Sequence, residues 1–115
     1  MNKWVLMVFV GVLIFTVAQA SLSEAAVKPV LYFWGEGCPA CKEVAPVIDK
    51  LIAGNILVEK YEVYNDRNNM DRLAMLFKVK DVPEQHWMIP VAFYNGEMYM
   101  GAPNILALAK ELTLE

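Results

Sequence analysis

Histidine occurs once in these 115 residues, at His86, and cysteine twice, at Cys38 and Cys41. A structural zinc site takes four protein ligands, so two thiolates and one imidazole are one short. Positive charge is scarce too: 10 Lys and Arg stand against 13 Asp and Glu, for a net charge of −3. With no Arg run and no basic patch, nucleic-acid binding has no support. There are no internal repeats and no low-complexity tracts. Only one long apolar run exists, Trp4 to Val17, interrupted by Gly11 and Thr16. It is shorter than the roughly 20 residues a spanning helix needs.

What is present at the N-terminus has a definite order. Met1-Asn2-Lys3 is a short basic start, the apolar run follows, and Ala18-Gln19-Ala20 is a small-x-small pattern. This order predicts a secretory signal peptide over residues 1–20, cleaved after Ala20. The alternative is an uncleaved membrane anchor, the one route by which the chain would touch a membrane. Either way the folded part is expected outside the cytoplasm, in the periplasm or secreted. Residues 21–27 read as an exposed leader, and residues 28–115 as one domain. At 57% hydrophobic and 20% charged, the chain is too apolar to be disordered.

The domain alternates between two periodicities. Val30 to Trp34 is an aromatic and β-branched run that suits a strand covered on both faces. Gly35-Glu36-Gly37 breaks it. A helix is predicted from Cys38 or Pro39, with Cys41, Val44, Ala45, Ile48, Leu51 and Ile52 on its buried stripe. Pro46 lies inside it and is expected to kink it. Ile56 to Tyr64 reads as a second strand, with Glu59, Lys60 and Glu62 spoiling its alternation. Met70, Leu73, Ala74 and Phe77 mark a second helix, and Asp81 to Met88 reads as irregular. Val91–Tyr94 and Glu97–Met100 flank Asn95-Gly96 as a hairpin. Pro103-Asn104 opens a last helix whose stripe is Ile105, Leu108, Ala109 and Leu112. The order is β-α-β-α-β-β-α. It predicts an α/β fold with a four-stranded mixed sheet flanked by helices, its first two strands parallel through a right-handed crossover.

The two cysteines are three positions apart. A structural staple gains with loop length, and a Cys38–Cys41 bridge closes almost none. Disulfide exchange needs an accessible thiolate and a second thiol within reach to resolve the mixed disulfide. C-x-x-C at a helix start supplies both. The helix N-terminus favours the anion of Cys38, and Cys41, one turn in, is the protected resolving thiol. Glu36 is a nearby carboxylate that opposes thiolate formation.

Phe33-Trp34-Gly35-Glu36-Gly37-Cys38-Pro39-Ala40-Cys41-Lys42, then Ala45-Pro46-Val47-Ile48-Asp49, closely resembles the active-site segment of thioredoxins. Ile89-Pro90 with Val91 to Glu97 resembles that superfamily's cis-proline loop and hairpin. The resemblance covers roughly residues 28–113. It implies a thioredoxin-like fold and a redox-active Cys38–Cys41 disulfide that exchanges with protein thiols and disulfides. It also implies a cis Pro90 packed beside the pair, and an Ile89 backbone that pairs with an extended substrate. Trp34 and Pro39 are implied as supports of the site. Val82-Pro83 competes for the cis-proline role; Pro90 is preferred because a strand follows it directly. Residues 84–88 then form an insertion relative to ordinary thioredoxins. Three departures matter. Gly37 replaces a usual Trp, Tyr32 stands where the family has a buried Asp, and Pro39-Ala40 replaces Gly-Pro. Pro after the first Cys is more like glutaredoxins and periplasmic disulfide-exchange proteins.

The functional expectation is a thiol-disulfide oxidoreductase, monomeric and served by a redox partner protein, with no dissociable cofactor and no metal. The alternative is an exported copper-binding chaperone. Copper(I) accepts sulfur ligands at low coordination, and Met88, Met98, Met100 or His86 could add to the thiols. Methionine is ordinary core filler, however, and a single loop histidine is more often surface decoration.

Overall fold

The computed structural model describes residues 28–114. The signal, anchor and leader assignments for residues 1–20 and 21–27 lie outside them. The order is β1 (Val30–Trp34), α1 (Pro39–Ala53), β2 (Val58–Glu62), α2 (Arg67–Val79), a 3-10 turn (Glu84–His86), β3 (Val91–Tyr94), β4 (Glu97–Met100) and α3 (Ala102–Thr113). The sheet runs β2-β1-β3-β4. β1 and β2 are parallel, and the β1–β3 and β3–β4 pairs are antiparallel. This is the expected α/β architecture, with the hairpin completing the mixed sheet.

Strand alternation divides the core in two. Val30 and Tyr32 of β1 and Ala92 of β3 face α1 and α3, where they pack with Val44, Ile48 and Leu108. Phe33 of β1 and Val91 and Phe93 of β3 face the other way, against Leu73 and Phe77 of α2. Aromatic rings fill that second layer. Phe33 stacks on Tyr61 at 5.0 Å between centroids and meets Phe93 edge-on at 5.8 Å, geometries that add to plain area burial.

The local chemistry accounts for the element ends. Asp66 caps α2 by accepting the Asn69 N–H at 3.1 Å. Asn95 and Gly96 both take positive φ, 52° and 78°, the two-residue turn that matches strand twist. α3 begins at Ala102 with a proline in its first turn.

Three expectations need correction. The second strand is Val58–Glu62 rather than Ile56–Tyr64, because Ile56 donates its N–H back to the Leu51 carbonyl at the end of α1. Ala45 and Ile52 are exposed. The buried stripe of α1 is the narrower set Cys41, Val44, Ile48 and Leu51, since a helix lying on one sheet face covers little more than one side. Residues 81–88 are not wholly irregular, for they hold the 3-10 turn. α1 continues through Pro46 from Pro39 to Ala53.

Candidate active site

The sequence places a turn, then a cysteine, then a proline at the top of α1. The Cys38 N–H donates to the Gly35 carbonyl at 3.2 Å, closing a four-residue turn. Gly37 sits in it at φ 85°, a conformation that a side chain disfavours. That turn is why glycine rather than tryptophan precedes the first cysteine. Cys38 is the N-cap of α1, and Pro39, in the first turn, costs the helix no hydrogen bond. The Cys38 Sγ accepts the Cys41 N–H at 3.2 Å, so a backbone donor of the helix start points at the sulfur. Cys38 and Cys41 are joined as a disulfide, with Cα atoms 5.2 Å apart.

Exposure departs from the expectation for an attacking thiol. Cys38 keeps 6% of its surface and Cys41 3%. In this oxidised form the Cys38 sulfur is bonded to that of Cys41 and both residues are buried. The asymmetry between the two is therefore slight while the bond is closed. Pro39 is exposed beside them.

Sheet register brings the Ile89-Pro90 segment to this turn. Phe33 pairs with Val91 across β1 and β3, so the next positions set Trp34 toward Pro90 and Gly35 toward Ile89. The contact is close: a Cβ on Gly35 would fall 2.7 Å from the Ile89 side chain and 2.6 Å from the Tyr64 ring. The Ile89–Pro90 peptide bond is cis. Pro90 is buried, and its carbonyl accepts the Gly101 N–H at 2.8 Å. Among the described residues, the Ile89 N–H and carbonyl find no hydrogen-bond partner. Pro83 instead precedes the 3-10 turn.

The other singled-out residues are dispersed. Trp34 is half-buried against the α1–α3 layer, with the Lys60 ammonium 5.4 Å from its ring. His86 is exposed on the 3-10 turn. No group of three His, Cys, Asp or Glu side chains suited to a metal forms among the described residues. Tyr32 is buried, and burial pushes its hydroxyl up to about 12. It stays protonated at neutral pH and cannot serve as the base that an aspartate in that place could be.

Two contributors were not evident in the sequence. Glu62, at the end of β2, accepts the Glu36 N–H at 2.8 Å, the Tyr64 N–H at 3.2 Å and the Asn65 N–H at 2.7 Å. The Glu36 donor, with those of Asn65 and Tyr64, holds its carboxyl below the ordinary value. One ionised side chain thus ties the turn before Cys38 to the β2–α2 loop. Asn65 doubles the tie by donating to the Glu36 carboxylate at 3.2 Å. Tyr64 is the second, through its contact with Gly35. An acidic residue ending a strand carries no local signal of such a role.

No family model matches the sequence, and no curated protein matches it. Solved structures do. A protein of Agrobacterium tumefaciens aligns over 79% of this chain with a TM-score of 0.61 and 21% identity. The chain covers 46% of that protein, less than half its length. Glutaredoxin 1 of Francisella tularensis aligns over 76% of this chain and 99% of its own, with a TM-score of 0.53 and 17% identity. The chain has the thioredoxin-like fold. Oxidised glutaredoxin 2 of Chlamydomonas reinhardtii, at a TM-score of 0.50 and 23% identity over 76% of each chain, agrees. In this thioredoxin-like chain the disulfide caps the first helix and the Ile89-Pro90 segment flanks the turn that leads to it.

Proposed function

We propose that this protein is an exported thiol-disulfide oxidoreductase acting on protein substrates through Cys38 and Cys41. The observation that carries this reading is a disulfide that closes only a four-residue loop at a helix N-terminus, reached by a turn that packs on Ile89, whose backbone groups find no hydrogen-bond partner among the described residues. A bridge of that span adds little to stability, so its value lies in being broken and remade. In the reduced form the Cys38 thiolate attacks a substrate disulfide. The Cys38–substrate S–S bond forms, and the departing substrate sulfur takes up a proton. The Cys41 thiolate then displaces the second substrate thiol, regenerating the Cys38–Cys41 bond. The reverse sequence oxidises a substrate dithiol. An extended substrate pairs with the Ile89 backbone, Pro90 and Trp34 support the site, and Pro39 sets the first helical turn. No dissociable cofactor enters. The chain acts as a monomer in the periplasm or outside the cell, released by cleavage after Ala20 or held by its N-terminal segment, and a redox partner protein resets it.

The test is insulin reduction and dithiol oxidation by the exported protein and its Cys38→Ala variant. Disulfide-exchange turnover that Cys38→Ala abolishes is the expected result. Equal rates for the two proteins would end the proposal.

A further inference from the structure

At the end of the domain opposite Cys38, three helices stop and the described chain begins. Val30 opens β1 there, pairs with Val58 and donates its N–H to the Leu57 carbonyl at 2.9 Å. The last turn of α1 closes on the same loop, through the Ile56 N–H to the Leu51 carbonyl at 3.0 Å. The Lys28 ammonium donates to Asn95 of the hairpin turn at 2.6 Å. Lys80, the C-cap of α2, donates to the Gly96 carbonyl of that turn. Glu111 and Leu112, near the end of α3, share a cleft with Tyr94 and Glu97.

Among the described residues, seven large apolar side chains stay exposed, and four of them are at this end: Ile52, Leu57, Val79 and Leu114, the last two at 72% and 79%. Lysines stand among them. Lys50, Lys78 and Lys110 occupy the last turns of α1, α2 and α3, and Lys28 and Lys80 are exposed here too. These five outnumber Asp49, Asp81, Glu97 and Glu111 of the same end. Around the redox turn and the starts of α1 and α2 the balance reverses: Glu36, Glu43, Glu62, Asp66 and Asp71 outnumber Lys42, Arg67 and Arg72. An anionic surface therefore repels the redox end and accepts this one. Apolar side chains ringed by lysines suit a bilayer interface, where the lysine stems lie along apolar surface and their heads reach the phosphates.

The chain that enters this end indicates what covers it. Residues 18–27 separate Lys28 from the apolar run Trp4 to Val17. Ten residues span at most about 35 Å, so a run held in a bilayer keeps this end nearest the headgroups. The run is shorter than a spanning helix needs, and a weak anchor gains from a second contact with the surface.

We propose that this end of the domain docks on the anionic lipid surface of the membrane that holds the N-terminal segment, with the Cys38–Cys41 pair turned outward. The proposal rests on the anchored form of the reading above. Ile52, Leu57, Val79 and Leu114 enter the headgroup boundary and the lysines meet lipid phosphates.

The experiment reconstitutes the full chain in vesicles of phosphatidylethanolamine and phosphatidylglycerol and acylates its lysines with a water-soluble reagent. Compared with a Leu57→Asp/Val79→Asp chain in the same vesicles, Lys50, Lys78 and Lys110 lose most of their labelling, while Lys42 labels equally in both. Ile52→Asp/Leu114→Asp is the independent second variant, and all four replaced side chains are exposed. Equal labelling of the three lysines in the unmodified chain and both variants overturns the docking. So does protection of Lys42 instead, or protection that grows with the protein-to-lipid ratio, which would seat a second copy there. Recovery from exporting cells solely as a chain lacking residues 1–20 also overturns the docking and leaves the oxidoreductase reading standing. Absence of hydroxyethyl disulfide exchange by the vesicle-bound chain strikes that reading alone, and lysine protection in the same sample still supports the docking.

Discussion

Glu62 shows how a single side chain sets the geometry around the redox turn. Its carboxylate accepts these bonds most strongly while ionised, and the Glu36, Asn65 and Tyr64 N–H groups hold it below its ordinary value of 4.5. A carboxyl depressed on folding contributes stability that is fully present above that ordinary value and disappears as pH falls through the folded one. Glu62→Ala should therefore melt below the unmodified protein at pH 7, with the gap narrowing below about pH 4.5. Melting curves from pH 3 to 7 check this, and a gap independent of pH would mean the carboxylate is not what ties the loops. Cys38 and Cys41 were legible from their spacing at a helix start, whereas Pro39, Ile89 and Pro90 were singled out through the resemblance to thioredoxins. Glu62 looked like a flaw in the alternation of β2. Its value lies in three backbone donors from two loops, which only the folded chain brings together.

At the scale of elements, a strand, a turn and a helix stripe were the legible features. Val30 to Trp34 stands where its composition put it, and the Asn95-Gly96 turn and the α3 stripe follow their patterns without change. The ends of β2 and the width of the α1 stripe were not legible. The first depends on where α1 hands its last carbonyl to Ile56, the second on how the helix lies across the sheet. Both are tertiary facts. α2 gives an element-scale prediction. Asp66 caps it, and the helix carries Leu73 and Phe77 into the second core layer. Asp66→Ala should cost about 1 kcal/mol, read as a lower urea midpoint at unchanged slope. Asp66→Asn or Asp66→Ser should restore most of it. A loss undiminished by those replacements would assign the effect to charge or packing rather than to the cap.

At the largest scale, the described residues form a two-layered core on a small mixed sheet. What that architecture provides is a meeting place. The C-terminal end of β1 and the approach to β3 converge, so Gly35, whose carbonyl accepts the Cys38 N–H, meets Ile89 although the two lie more than half of the described chain apart. The likeness to solved glutaredoxins is a likeness of this frame. The chemistry proposed for it depends on what stands at the frame's edge: a bridge too short to be a staple, opened by an incoming sulfur. The most direct measurement expresses Cys41→Ala in cells that export the chain and separates their proteins without reductant. The account predicts protein adducts that a reducing agent releases and that vanish when Cys38 is also replaced by Ala. A Cys41→Ala protein that migrates only as the free chain, indistinguishable from the double replacement, would contradict it.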